Sequence, residues 1–170
     1  MDTNLSLNIG FKGQISANAV AVPMQEGYLK VGGYVAESET NGLKFGVVVS
    51  VSADAPDQFK KGKTSNDIVR GVCVWDDAIA QNAPAHPDTY LCGLPCAALN
   101  HGFMWLGNWK KDATGAIDPV IGAKVIFKKA DGSIEFVAGS TSNAPTGYEF
   151  LDGASVRDVN AEHGAFIYLN

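Results

Sequence analysis

Cys92, Cys96 and His101 fall in one short stretch, TYLCGLPCAALNHGFMWL (Thr89 to Leu106). Thiolates and an imidazole at close spacing are the ligand set of a zinc site. In an extended chain, residues four apart lie about 13 Å apart at roughly 3.3 Å per residue. Two thiolates each about 2.3 Å from one zinc cannot be that distant. A helix would put both on one face, but Gly93 and Pro95 oppose a helix. A tight turn through Gly93-Leu94-Pro95 leaves the approach geometrically open. His101 argues against it, because Asn100-His101-Gly102 lies between the apolar runs CAAL and FMWL. That placement predicts a hairpin turn with the imidazole in solvent. A further ligand would have to come from Cys73 or a distant carboxylate. The expectation is therefore no metal, with the cysteines acting as small hydrophobes in β-rich runs.

Other chemistry is equally thin. Asp76 and Asp77 are adjacent, and neighbours on a strand face opposite ways, which does not make a glycosidase pair. Cys73 with His163 is an imaginable nucleophile pair, but nothing in their spacing selects it. A cupin-like metal site would need converging histidines, and His86, His101 and His163 all sit in loop-like contexts. No nucleophile elbow, Walker loop or dinucleotide fingerprint is present. The chain reads as a non-enzyme. Phe103, Trp105 and Trp109 share strand parity and could form a sugar platform. Core burial is the preferred reading for Phe103 and Trp105, with Trp109 more open and suited to a protein contact.

The elements that would position these residues are strands. LKFGVVVSVS (Leu43 to Ser52) and IVRGVCVW (Ile68 to Trp75) are rich in β-branched residues. On the second, Val69, Gly71, Cys73 and Trp75 share a face if it is regular. KVIFKKADGSIEFV (Lys124 to Val137) predicts a hairpin around Asp131-Gly132. HGAFIYLN (His163 to Asn170) predicts a strand with Ala165, Ile167 and Leu169 on one face and Phe166 and Tyr168 on the other. Only DDAIAQNA (Asp76 to Ala83) has a helical claim, and it stops at Pro84. ADAPDQFKKGKTSND, QNAPAHPDT and AGSTSNAPTG read as loops, with the basic cluster Phe59 to Lys63 a solvated part of the first.

The whole is expected to be all-β: a jelly-roll, sandwich or barrel-like single domain of residues 16–170, with long loops and an extended N-terminal arm, 1–15. Its 170 residues suffice to bury a core, and 46% are hydrophobic. A net charge of −5 leaves no basic stripe for nucleic acid. No window matches a membrane span, the N-terminus does not read as a secretory signal, and three cysteines make no disulfide framework. Folding in a reducing cytoplasm is expected. In the arm, Leu5, Leu7, Ile9 and Phe11 line one strand face, suited to docking or strand addition.

Taken in order, several motifs resemble the structural cement (capsid decoration) proteins of tailed bacteriophages. IGFKGQIS (Ile9 to Ser16) is similar to that family's opening. LKFGVVVS resembles its Pro-Phe-Gly strand, with Lys44 in place of the proline. IVRGVCVWDDAIA is similar to its Gly-Val strand and Asp loop. GLPCAALNHGFMWL resembles its apolar strand, glycine turn and aromatic strand, with Trp105 where a tryptophan is common. VIGAKVIFKKADGSIEF and GYEFLDGAS…HGAFIYLN are similar to its hairpin and closing strands. The inserts Asp54 to Asn66 and Ala83 to Asp88 depart from the pattern. The resemblance implies a protein on the outside of the phage head, assembled in the host cytoplasm, that clamps neighbouring major capsid subunits against DNA pressure. It implies no cofactor and no membrane or direct nucleic-acid partner. Association with its own kind, as dimer or trimer, goes with that role. Contacts are expected on Leu5, Leu7, Ile9, Phe11, Phe59 and Trp109. A receptor- or carbohydrate-binding virion protein is the alternative.

Overall fold

The computed structural model describes residues 21–23, 29–74, 89–161 and 164–170. Thirteen strands and no helix occur among them. In chain order they are β1 (Ala21–Pro23), β2 (Leu29–Val35), β3 (Leu43–Lys44), β4 (Val48–Ser52), β5 (Ala55–Lys61) and β6 (Ile68–Cys73). Then come β7 (Thr89–Tyr90), β8 (Pro95–Leu106), β9 (Ala116–Ile117), β10 (Lys124–Lys128), β11 (Ile134–Val137), β12 (Tyr148–Asn160) and β13 (Gly164–Leu169). The domain is all-β and barrel-like. The arm, and the helical expectation for Asp76 to Ala83, lie outside the described residues.

Five strands close into a ring. β2 pairs in parallel with β5, β5 with β4, β4 with β6, β6 with β8, and β8 returns to β2. Two short pairings complete the closure, Tyr34 and Val35 with Gln58 and Phe59, and Val72 and Cys73 with Leu99 and Ala98. The far half of β8 belongs to a second, open sheet that continues through β13, β12, β10, β11 and β9. β8 is thus shared. One of its edges carries β2 at Pro95–His101 and β1 at Met104–Leu106. Its other edge carries β6 at Ala98–Leu99 and β13 at Gly102–Leu106. One core runs through both parts, from Val49, Val72 and Leu99 to Met104, Phe127, Phe136 and Ile167.

The predicted hairpin forms as β10 and β11, with Val125 opposite Phe136 and Phe127 opposite Ile134. Asp131 Oδ1 accepts the Ser133 amide at 2.9 Å and its hydroxyl at 2.6 Å, which fixes the turn. The alternation of β13 also holds: Ala165, Ile167 and Leu169 are buried, while Phe166 and Tyr168 are half-buried.

Four expectations are corrected. Leu43 to Ser52 is two strands, because Gly46 adopts φ 81° and turns the chain between them. A side chain there would meet Asn108 Oδ1 at 2.3 Å. Asn100 to Gly102 is no hairpin turn but a bulge within β8: Asn100 is skipped in the pairing with β2, while His101 stays opposite Leu29 and Gly102 opposite Leu169. The segment read as a loop, Ala53 to Asp67, contains β5. Along Ile68 to Val74 the single-face pattern fails, because Gly71 to Val74 are all buried. Gly71, at φ 133°, shifts the register against β4, and a Cβ on it would come 2.0 Å from Leu99 O.

Candidate interaction surfaces

The residues that suggested zinc do not converge. Cys96 and His101 stand five residues apart on one strand, roughly 15 Å at about 3.3 Å per residue, too far to share a metal. Cys96 points into the core, and His101 packs edge-on against Tyr168 with ring centroids 5.6 Å apart. Cys92 is exposed in the turn before β8, where its thiol donates to Glu37 O at 3.5 Å. Burial pushes the Cys73 thiol well above its ordinary range, and burial raises Cys96 to about 12. Both are therefore protonated near neutrality and act as core side chains. No three His, Cys, Asp or Glu side chains gather as a metal site among the described residues. Asp76, Asp77, His86 and His163 lie outside the described residues.

Phe103 and Trp105 are corrected from core to half-buried positions, because Met104 and Leu106 take the inward face of β8. They stack with β13 in one aromatic row: Phe103 on Phe166 at 5.2 Å, Trp105 on Phe166 at 4.8 Å, and Phe103 on Tyr168 at 4.9 Å. Arg157 caps the row 5.2 Å from the Tyr168 ring. Trp109 is not part of that platform. It lies beyond β8, half-buried and edge-on to Phe136 at 6.0 Å.

Phe59, expected as a loop contact, is a core residue of β5 with only 1% of its surface exposed. Gly33 makes room for it: a Cβ there would sit 2.8 Å from the Phe59 ring. The lysines around it are paired rather than freely solvated. Lys60 meets Asp67 at 3.2 Å, Lys61 meets Glu39 at 3.2 Å, and Lys63 meets Glu149 at 2.6 Å. The Thr64 hydroxyl and amide hold the Asp67 carboxyl below its ordinary pKa; burial opposes them and Lys60 assists. Leu5, Leu7, Ile9 and Phe11 lie outside the described residues.

The loop carrying Trp109 and Lys110 is firmly held. The Lys110 amide donates to Ile134 O at 2.9 Å. Glu135, fully buried on β11, accepts the Asp112 amide at 2.9 Å, the Ala113 amide at 2.8 Å and the Tyr148 hydroxyl at 2.8 Å. A buried carboxylate survives only with such donors around it. Burial, then the bond to Glu135, raises the Tyr148 phenol to about 12. Beside this loop lies a cleft of about 480 Å³ lined by Lys44, Lys61, Asn108, Trp109, Lys110 and Asp131, among others.

Besides Ile68 at the start of β6, exposed apolar side chains gather at two places that sequence patterning did not single out. Tyr34 is 50% exposed opposite Pro95, next to Leu94 at 39%. At the other end, Val120 and Ile121 are 53% and 72% exposed. Their turn is tied to β12 by the Gly122 amide on Val156 O, three residues before Val159, itself 41% exposed. Val159 pairs with Ala165, and Ala165 with Leu106. The two groups therefore flank opposite ends of β8, up to about 36 Å apart along the strand.

No curated protein matches the chain significantly. The family described as structural cement protein (E217 gp24/Pam3 gp6) matches it over residues 2–168. That span takes in the ring, the open sheet and both apolar ends, so the match concerns the whole folded unit and not one motif. The chain belongs to the phage structural cement protein family, whose members stabilise the capsid of the virion.

Proposed function

We propose that the protein sits on the outer face of the assembled phage head, bridges neighbouring major capsid subunits and stiffens the shell against packaged DNA. The observation that supports this most directly is the pair of exposed apolar groups at opposite ends of β8. One patch would give adhesion. Two patches separated by a strand paired on both edges give a bridge, because each contact holds the other near its site. Binding the assembled lattice but not free subunits stabilises the lattice by mass action. The apolar face of the arm, Leu5, Leu7, Ile9 and Phe11, is a further contact with a capsid subunit or a neighbouring copy, in a dimer or trimer. Trp109 is a contact beside its cleft. Assembly takes place in the host cytoplasm.

The test is decoration of heads that lack the protein, followed by cryo-electron microscopy and heating until DNA is released. Wild type should coat the heads and raise the release temperature. Ile121→Ser, or Tyr34→Ser with Leu94→Ser, should coat less and lose most of that increase. Deleting residues 1–11 should leave the β domain folded and loosen its hold. If the wild-type protein never binds heads, or lies wholly within one subunit's footprint, the bridging role is wrong.

A further inference from the structure

The cleft beside Trp109 has a charge opposite to that of the chain. Three lysines, Lys44, Lys61 and Lys110, line it against a single carboxylate, Asp131, in a protein of net charge −5. That carboxylate is already engaged, by the Ser133 amide and hydroxyl and by Lys110 at 3.3 Å. Lys61 meets Glu39 at 3.2 Å and so uses one of its three donors. Lys44 is exposed and has no ion-pair partner among the described residues. The Trp109 indole N–H likewise has no acceptor among the described residues, while its ring forms one wall. The cleft thus carries an excess of positive charge and of N–H donors, beside the amide oxygens of Asn41 and of Asn108, whose Oδ1 is buried without a partner among the described residues. Such a surface selects a ligand rich in acceptors and negative charge.

Its shape is held in place by groups already described. Asn108, in its lining, donates to Phe45 O at 2.9 Å, and Glu135 pins the loop that follows. Little ordering is left to oppose binding, which favours affinity.

We infer that this cleft receives an acidic peptide segment, with carboxylates on Lys44 and Lys110 and the peptide's carbon chain against Trp109. The inference rests on the cement reading, which makes the occupant a segment of the capsid subunit beneath. It names the chemistry of one contact: negatively charged, extended and salt-sensitive.

The experiment uses the full chain and an acetylated, amidated oligoglutamate peptide, with the matching oligoglutamine peptide as control. Binding is read by calorimetry and by NMR shifts of the Trp109 indole N–H. The glutamate peptide should bind, weakening about tenfold as salt rises from about 20 to about 200 mM. Lys44→Glu should weaken it about fivefold or more, with no change in melting temperature, because Lys44 makes no contact that folding needs. Equal binding of the glutamine peptide, unchanged binding by Lys44→Glu, or preference for a sulfated oligosaccharide overturns the inference. Head decoration separates the two readings. If wild type and Lys44→Glu coat heads alike, the cleft is not a capsid contact and the cement role stands. If wild type coats no heads, the cement role fails and a capsid segment as occupant fails with it.

Discussion

The closed ring and the open sheet share β8 and one core, yet they solve the same problem differently. The ring buries mostly small and β-branched side chains, Val48, Val49, Val51, Val72 and Ala98, together with Leu99 and Phe59, and every strand finds two neighbours. The open sheet ends on β9, an edge of only two residues, as edges at risk of stray pairing tend to be. It also buries a charge, Glu135, and leaves an aromatic row half in solvent along Phe103, Trp105, Phe166 and Tyr168. The ring turns inward, with Ser50 Oγ on β4 its one buried side-chain polar atom without a hydrogen-bond partner among the described residues. The sheet spends its stability on holding a loop and presenting faces, which is where a binding protein needs definition.

If the shared strand makes these one cooperative unit, damage to either part should be felt by both. Leu99→Ala in the ring and Ile167→Ala in the sheet should each cost about 2–5 kcal/mol. Urea unfolding followed by circular dichroism and by tryptophan fluorescence should give coincident midpoints in both variants. Separate midpoints would break the picture of one unit. Glu135→Ala strips a buried acceptor from three donors and should cost about 3 kcal/mol. Amide exchange in that variant should rise at Asp112 and Ala113 while β4 and β6 stay protected; equal loss in the ring would erase the contrast.

Gly71→Ala tests the ring's own weak point. It forces a side chain into a positive-φ site against Leu99 O and should cost about 2 kcal/mol, read from the urea midpoint. Smallest is Thr64→Val, about 1 kcal/mol at pH 7. Asp67 has a lowered folded-state pKa, so its contribution is full above the ordinary carboxylate value and is lost as pH falls through the lowered one. The difference between Thr64→Val and wild type should therefore shrink in acid. A gap that persists unchanged there would remove Asp67 from the explanation.

The features legible in the sequence are the local ones. Asp131-Gly132 makes its own turn, and β13 shows its faces by alternation, because both depend on residues a few positions apart. What was misread depends on partners far along the chain. Asn100-His101-Gly102 has the composition of a turn, but pairing with Leu29 and Leu169 keeps it in β8 as a bulge. Phe59 stands among Asp57, Gln58, Lys60 and Lys61, which face outward or pair with distant acids, so its burial over Gly33 left no local trace. The family's motif order was visible in the chain. The exposed ends were not, since Tyr34 and Ile121 look like core residues until closure decides which faces remain outside.

The continuity of β8 also has a mechanical meaning. A pull along its axis loads the hydrogen bonds to β1, β2, β6 and β13 in shear, so many rungs must yield together. A pull on β9 peels rungs singly, from an edge two residues long. The same domain is therefore stiff in one direction and compliant in another. Tension between the Tyr34 end and the Val159 end runs close to the stiff direction.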